Sequence, residues 1–367
     1  MSGNLLFIII IFIVAVIIAV WYFYRMKVRY RASSDDFVKG LLSIIENDLP
    51  SAMKYLHSAA TNDTSNIMAY TLLGDILRQN GEIEKAKRIH ISLLSRAFIT
   101  SEQKARVYKS LALDAFAENN FQKSLEYANQ ILSLKPDMWT YEFAAEILEK
   151  LERWNEAYEM LSKTGDNKEI LALYKVEIGK NIVEDNPHKA RVIFKDALKI
   201  YPDCLPAMME IGYAYANEGR LKDALEWWTK IATKFPQKSI VVMDKIESVY
   251  YELGEFDKAR LLYRDILEKN PEVEFIRLRL AEIYEKMGNI ETALKIVREA
   301  PEKTMNLLLS EIKLLCRNND IQSIEKIVSD KIAEFHRPKF VCKNCGYQSD
   351  VPLWHCPKCG EWNSFGV

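Results

Sequence analysis

Two features that are absent from this chain of 367 residues exclude classes of function. It has no excess of charge, because 50 basic side chains nearly balance 51 acidic ones and leave a formal net charge of -1. Such a balance gives no general electrostatic attraction to nucleic acid, and we predict no nucleic-acid partner. The chain also has no glycine-rich phosphate loop, no HExxH and no GxSxG, and its five histidines are scattered singly. We therefore predict that it is not an enzyme and has no catalytic residues.

Charge is missing altogether from the N-terminal segment, residues 1–24. The stretch from Leu5 to Tyr24 is an unbroken apolar run, about 30 Å long as a helix, which matches the hydrocarbon core of a bilayer. The run lacks the basic leader and the A-x-A-like site of a cleavable signal peptide. Residues 1–24 are therefore predicted to form one transmembrane anchor that is retained.

Basic residues follow the apolar run directly, namely Arg25, Lys27, Arg29 and Arg31, and none precedes it. The positive-inside rule then places the N-terminus outside the cell's cytoplasm and everything after the anchor inside it. We assign residues 25–33 to a basic juxtamembrane linker. The same cluster could hold anionic lipid headgroups, although setting the topology is the simpler explanation for it.

Small residues recur at a regular spacing after this linker. They are Ala52, Ala86, Ser124, Ala157, Ala190, Ala224, Ala259 and Ala293. Successive members lie about 34 residues apart, which is the period of a tetratricopeptide repeat. In four units a glycine lies five residues earlier, where a tight turn between two helices is expected: Gly81, Gly219, Gly254 and Gly288. In four units a proline lies twelve residues later and should end the second helix: Pro136, Pro202, Pro236 and Pro271.

The pattern resembles the tetratricopeptide-repeat family, with its best single match at Gly212, Tyr215, Ala224 and Pro236. Residues 34–336 are predicted to form about nine helical hairpins, the last of them around Ile324, stacked into a superhelix. The fold class is thus all-α. Aromatic residues at helical spacing are expected in the core: Tyr215, Trp227, Trp228, Tyr263 and Tyr284.

The surroundings of two further sets of residues within the repeats can be predicted. Cys204 and Cys316 are expected to be small buried side chains. Some carboxylates fall on the first helix of a repeat, where the groove of this family faces inward: Glu146, Glu149, Asp244, Glu282 and Glu285. A solvated helix face explains these carboxylates at least as well as a binding surface does.

The last segment, residues 337–367, contains two CxxC knuckles formed by Cys342, Cys345, Cys356 and Cys359. Four thiolates in tetrahedral array suit a structural Zn²⁺ with no open coordination position, and we predict one bound zinc, with iron as the alternative metal. A segment of this size has almost no core, so metal binding would supply most of its folding energy. A reducing cytoplasm keeps the thiols free for metal. We expect His355 to pack beside the site or to support a ligand, because four cysteines already complete the metal shell.

The combination of anchor, repeats and ribbon resembles the lipopolysaccharide assembly protein B family along essentially the whole chain. Local stretches carry the resemblance, namely Gly81 to Leu94, Pro338-x3-Cys342-x2-Cys345-Gly346, and Trp354-His355-Cys356-Pro357-x-Cys359-x2-Trp362. The resemblance implies a bacterial inner-membrane protein with a rubredoxin-like ribbon. It also implies an adaptor that helps a membrane AAA+ protease degrade the lipid A deacetylase and so limits lipopolysaccharide synthesis. Other membrane proteins of that pathway would be further partners.

Two other functions remain open at this point. The four-cysteine site could bind iron and transfer electrons, as in a rubredoxin-like redox protein. Alternatively, the repeats could be a scaffold for a different membrane assembly. The tail is also similar to the zinc ribbon of a bacterial DNA-repair ATPase, but that activity needs a phosphate-binding loop, which this chain lacks.

Overall fold

The computed structural model describes residues 2–165, 167–335, 340–349, 351 and 353–366, without the side chains of residues 2–14, 30, 31, 256, 334 and 335. The chain divides into two compact units, Met1–Glu210 and Ile211–Val367, and the boundary falls within one helix. Both units are built from consecutive helices that pack against their neighbours in sequence. The second unit also carries a small β-sheet near its end.

The first unit contains ten helices and the start of an eleventh among its described residues. They are α1 Ser2–Ile45, α2 Leu49–Asn62, α3 Ile67–Gln79, α4 Ile83–Leu94, α5 Ser101–Ala117, α6 Phe121–Leu134, α7 Met138–Lys150, α8 Trp154–Ser162, α9 Lys168–Lys180, α10 Pro187–Ile200 and α11 Leu205–Asn217. The second unit continues with α12 Leu221–Lys234, α13 Ile240–Glu252, α14 Phe256–Lys269, α15 Glu274–Lys286, α16 Ile290–Arg298, α17 Met305–Arg317 and α18 Ile321–Phe335.

The predicted repeat register is confirmed by where its small residues lie. All eight are buried, and each lies on the second helix of a pair, from Ala52 on α2 to Ala293 on α16. A small side chain allows the two helices of a hairpin to approach closely. The prolines also lie where the spacing placed them, because α6, α10, α12 and α14 each end two residues before one.

The turn inside a hairpin requires a left-handed backbone at one position. The four predicted glycines have positive φ angles there, between 70° and 82°. In four other hairpins the same position, five residues before the small residue or its counterpart Ile324, also has positive φ, at Asn47, Asn119, Glu152 and Asn319. Sequence reasoning looked for glycine and missed these residues, although asparagine adopts this conformation more readily than most side chains.

The core predictions for aromatic and cysteine side chains are confirmed in part. In the second unit Trp228 and Tyr263 are buried, whereas Tyr215, Trp227 and Tyr284 are half-buried. Cys204 is buried, as predicted, in the first unit. The prediction for Cys316 is wrong, because its side chain is exposed. The buried face of α17 consists of Leu307, Leu308, Glu311, Leu314 and Leu315. Cys316 follows Leu315 directly and lies on the outward face of the helix.

Helix α1 runs without a break through residues 25–33, so the segment assigned to a linker is helical. Its later part packs on α2, where Ser33 Oγ donates to the Ala59 carbonyl over 2.9 Å. Much of the predicted anchor, residues 1–24, lies outside the residues whose side chains are described. Among the described residues, none of the helices combines the length and the apolar character required to cross a bilayer.

A three-stranded antiparallel sheet forms the end of the second unit. Its strands are β1 Phe340–Cys342, β2 Gln348–Ser349 and β3 Phe365–Gly366, in the order β2-β1-β3. Val341 pairs with Gln348 on one side and with Gly366 on the other. The sheet brings the first knuckle, at the end of β1, next to the chain that returns from the second knuckle. The fold is therefore helical throughout the repeats, with β-structure confined to the ribbon among the described residues.

Candidate metal centre

The two knuckles of the ribbon have the same backbone geometry. In the first, the Gly346 N–H donates to the Cys342 carbonyl over 2.9 Å, and the Cys342 N–H donates to the Tyr347 carbonyl over 2.9 Å. The second knuckle repeats both bonds at the same distances, from Gly360 to Cys356 and from Cys356 to Glu361. Gly346 and Gly360 have φ angles of 71° and 72°. A glycine is favoured at each of these positions because a Cβ atom is strained in this conformation.

The four cysteine sulfur atoms form one compact cluster. All of them lie within 4.8 Å of one another, with 3.7 Å between Cys342 and Cys359 and 3.5 Å between Cys345 and Cys356. Four thiolates at about 2.3 Å from a central Zn²⁺ lie about 3.8 Å apart in a regular tetrahedron. The spacing of the sulfurs thus fits one tetrahedral zinc. With four thiolates present, the centre has no open position for a substrate or a reactive water.

The ligands differ in exposure and in electrostatic surroundings. Cys342 and Cys356 are buried, Cys345 is half-buried and Cys359 is exposed. The buried hydroxyl of Ser364 lies 3.1 Å from Cys342 Sγ and lowers the pKa of this thiol to about 6. The backbone N–H of Glu361 lowers the pKa of Cys359. Both contacts stabilise thiolates, the form in which cysteine binds metal.

His355 precedes Cys356 of the second knuckle and does not join the four sulfurs in the cluster that could hold a metal. It forms an isolated antiparallel bridge with Trp362, and the two rings pack with their centroids 4.6 Å apart. His355, Trp354 and Trp362 are all exposed. The packing role expected for His355 is therefore confirmed, and the described cysteines alone supply the ligands of the cluster.

The carboxylates picked out in the repeats lie in different surroundings. Glu149 accepts a hydrogen bond from the Tyr174 hydroxyl, and burial raises the pKa of that tyrosine. Glu146 is exposed. In the second unit Arg279 on α15 pairs with Asp244 and Glu247 of α13 and with Glu282 of its own helix. Burial raises the pKa of Glu247, which is the most enclosed member of this group.

Glu285 was expected on a groove or on a solvated face, yet its side chain is only 5% exposed. Its two oxygens pair with Lys313 and Arg317 of α17 at 2.8 and 2.7 Å. This carboxylate thus holds two neighbouring helices together. Sequence reasoning could not identify the contact, because both partners lie far along the chain, on a helix that belongs to the next hairpin.

The fold and the site together define a tetratricopeptide-repeat protein that ends in a four-cysteine metal-binding ribbon. Family models agree with both parts, since residues 340–366 match the rubredoxin metal binding domain and residues 185–239 and 250–312 match tetratricopeptide repeats.

The particular proteins that this chain resembles carry the name lipopolysaccharide assembly protein B. The Escherichia coli K12 protein is 22% identical over 370 residues, which cover 94% of this chain and 93% of the relative. The Haemophilus influenzae protein is 24% identical over 362 residues, which cover 90% and 89%. The predicted resemblance to this family is confirmed. Among solved structures, YrrB, a tetratricopeptide protein with an unusual peptide-binding site, is 16% identical with a TM-score of 0.35 and covers 52% of this chain and 97% of its own.

Proposed function

We propose that the protein is a membrane-anchored cytoplasmic adaptor that limits lipopolysaccharide synthesis by delivering the lipid A deacetylase to a membrane AAA+ protease. The observation that carries the proposal is the similarity to lipopolysaccharide assembly protein B, which extends over 94% of the chain and so includes both the repeats and the ribbon. An adaptor needs surfaces for partners and no reacting groups, which agrees with the absence of a catalytic motif from the sequence.

Residues 1–24 serve in this proposal as a single-pass anchor in the bacterial inner membrane, with the N-terminus in the periplasm. The support is the uncharged apolar run from Leu5 to Tyr24 and the basic residues that follow it. Confining adaptor, client and protease to one membrane raises their effective concentrations without any new contact. The anchor thereby contributes to delivery even if it touches neither partner.

The first helices of the hairpins supply a surface for a client. In the second unit a cavity of about 320 Å³ lies between α13 and α15. Ile240, Phe275 and Leu278 supply apolar walls, and Asp244, Arg279 and Glu282 supply charge. Such a cavity suits an extended or helical segment of a partner protein. The apolar contacts would contribute affinity, and the charged side chains would fix the orientation of the bound segment.

The metal has a structural role in this account. Four thiolates complete a tetrahedral zinc, and metal binding holds together a segment whose described strands are only two or three residues long. The competing function, electron transfer by bound iron, makes a different prediction. Protein purified from its own host should be colourless with one zinc per chain, whereas red protein with visible charge-transfer absorption would favour the redox function.

The test is to deplete the protein in its own host and to follow the lipid A deacetylase. The adaptor proposal predicts that the deacetylase becomes long-lived and accumulates, and that the full chain restores its turnover. Unchanged turnover would contradict the proposal. The chain would then be a repeat scaffold for a different membrane assembly, and partners captured on the cytoplasmic repeats would identify that assembly.

A further inference from the structure

Helices α14, α15 and α16 of the second unit line a cavity of about 450 Å³. This volume is within the range of about 300–1,000 Å³ that is usual for sites of small ligands. Apolar side chains from all three helices and from the loop after α14 form much of the wall: Leu267, Pro271, Leu280, Tyr284 and Ile296. Three basic side chains also line the cavity, namely Arg264, Arg277 and Lys295. The cavity therefore combines apolar surface with positive charge.

Arg277 differs from the other two basic residues in its burial and in its partners. It is only 4% exposed. Its guanidinium donates to the Ile296 carbonyl over 2.7 Å and to the Pro271 carbonyl over 2.8 Å, and both of these acceptors are uncharged. A guanidinium has more N–H donors than two such bonds use. Among the described residues, Arg277 forms no ion pair with a carboxylate.

A buried charge without a counterion is unusual, because removing a charge from water is costly unless an opposite charge compensates for it. The buried carboxylates Glu285 and Glu311 of the same unit follow this rule, since each pairs with two basic side chains. Arg277 does not follow it. Burial lowers the pKa of its guanidinium, and Glu299 opposes this shift. An anion in the cavity would supply the missing negative charge.

The two exposed basic residues of the cavity have carboxylate partners on their own helices. Arg264 lies 3.8 Å from Glu268 and 3.9 Å from Asp265, and Lys295 lies 3.8 Å from Glu299. Exposed ion pairs of this kind are weak, so either basic side chain can also turn toward an anion in the cavity. Glu268 and Glu299 line the same cavity. They would repel a doubly charged phosphate more strongly than a carboxylate, which carries one charge.

We propose that this cavity binds a carboxylate that is carried by an apolar group. Arg277 binds the carboxylate through the N–H groups that its two backbone bonds do not use, and the apolar wall encloses the attached group. A small free acid with a hydrocarbon chain has this chemistry, and so does the C-terminus of a partner protein whose last residue is apolar. The inference goes beyond the adaptor function and does not depend on it.

Photo-labelling of the full chain in membranes tests the site. The probe is hexanoate with a diazirine group on its chain, and the matched control is the amide of this probe, which lacks the charge. We expect the carboxylate probe to label residues of α14, α15 and α16, and the amide to label them several-fold less. Equal labelling by the amide, or no labelling of these helices by the carboxylate, would overturn the proposal.

Variants separate binding in the cavity from labelling of the protein surface. Arg277→Met would remove two contacts between elements together with the charge, so other residues of the cavity are changed instead. Lys295→Glu reverses an exposed charge and Thr292→Trp fills the cavity, and each should reduce the labelling several-fold. Lys258→Glu changes an exposed lysine of α14 outside the cavity and should leave the labelling unchanged. If Lys295→Glu and Thr292→Trp are labelled like Lys258→Glu, the proposal is overturned.

Competition identifies the source of the carboxylate. Unmodified hexanoate and the peptide acetyl-Ala-Ala-Leu-Leu with a free C-terminus are added at equal concentrations before illumination. Stronger suppression of labelling by the peptide would assign the site to a protein C-terminus, and stronger suppression by hexanoate would assign it to a small free acid. Suppression by neither competitor would contradict a specific carboxylate site.

Discussion

His90 Nδ1 lies 2.5 Å from Asp114 Oδ2, and both side chains are buried in the first unit. The other ring nitrogen, Nε2, lies 3.1 Å from the Thr71 carbonyl. Each ring nitrogen therefore lies within hydrogen-bonding distance of an oxygen atom. Arg78 completes the group by donating to Asp114 Oδ1 over 2.9 Å. The cluster ties together α3, α4 and α5, and so two successive hairpins.

Asp114→Ala should strongly destabilise the first unit. The variant leaves His90 and Arg78 without their shared carboxylate, and breaking a buried ion pair in this way costs about 3–5 kcal/mol. Chemical unfolding of the purified full chain, followed by circular dichroism, measures the change. Asp196→Ala is the control, because it removes an exposed partner of Lys199 and should cost under about 1 kcal/mol. Similar losses in both variants would contradict a special role for the buried cluster.

Ala224→Leu should overpack a helix contact in the second unit. Ala224 is fully buried, so added methylene groups force neighbouring side chains out of place, at a cost of about 1–3 kcal/mol. Glu226→Leu on the same helix α12 is the control, because that side chain is exposed. We expect a lower unfolding temperature for Ala224→Leu and little change for the control. If Ala224→Leu unfolds like the parent protein, the repeat register is wrong.

Glu311 should make stability depend on pH in the acid range. Burial opposes its ionisation, but hydrogen bonds from Arg298 and Lys303 leave its pKa below the ordinary value of 4.5. A pKa lowered by folding gives stability that is fully present above the unfolded value and is lost as the pH falls through the folded one. Glu311→Gln should therefore reduce the loss of unfolding free energy below pH 4.5.

Unfolding of the parent chain and of Glu311→Gln between neutral and acid pH checks this expectation. Glu325→Gln, which changes an exposed side chain on α18, serves as the control because it leaves the ion pairs of Glu311 in place. Equal acid sensitivity of the parent and Glu311→Gln would mean that these ion pairs contribute nothing measurable in this range.

Replacing Cys342 and Cys345 by Ser should abolish zinc binding and unfold the ribbon. Two of four ligands are lost, and the segment has little apolar core to hold it without metal. Zinc content measures the loss of metal, and the near-ultraviolet spectrum of the chain, to which Trp354 and Trp362 contribute with its other tryptophans, reports the unfolding. Cys316→Ser is the control, because this cysteine is exposed on α17 and should leave one zinc per chain. Full complementation in cells by the double variant would show that the ribbon is dispensable for function.

The features that could be predicted from the sequence are those with a local period or spacing. Ala224 could be placed in its helix contact because a small residue recurs about every 34 residues, as in other tetratricopeptide repeats. The metal ligands could be identified because each CxxC knuckle carries its own turn. Both signals can be read from the order of residues along the chain. They can therefore be recognised before the fold is known.

The contacts that could not be predicted join side chains distant in sequence. His90 and Asp114 lie on separate helices, α4 and α5, and Glu285 and Arg317 lie on α15 and α17, so neither pair leaves a local pattern. The predicted burial of the Cys316 side chain was wrong for a different reason. Helical spacing alone does not fix which face of α17 turns inward, and a shift of one residue carries a side chain about a quarter of the way round the helix.

The most direct test of the adaptor account is the half-life of the lipid A deacetylase in cells with three forms of this protein at equal levels. The forms are the full chain, the chain without residues 1–24, and that shortened chain fused to an unrelated transmembrane helix of the same topology. The account predicts rapid turnover with the full chain, slow turnover with the shortened chain, and recovery with the unrelated anchor. Rapid turnover with the shortened chain, or a deacetylase half-life unaffected by any of the three, would contradict delivery by a membrane-tethered adaptor.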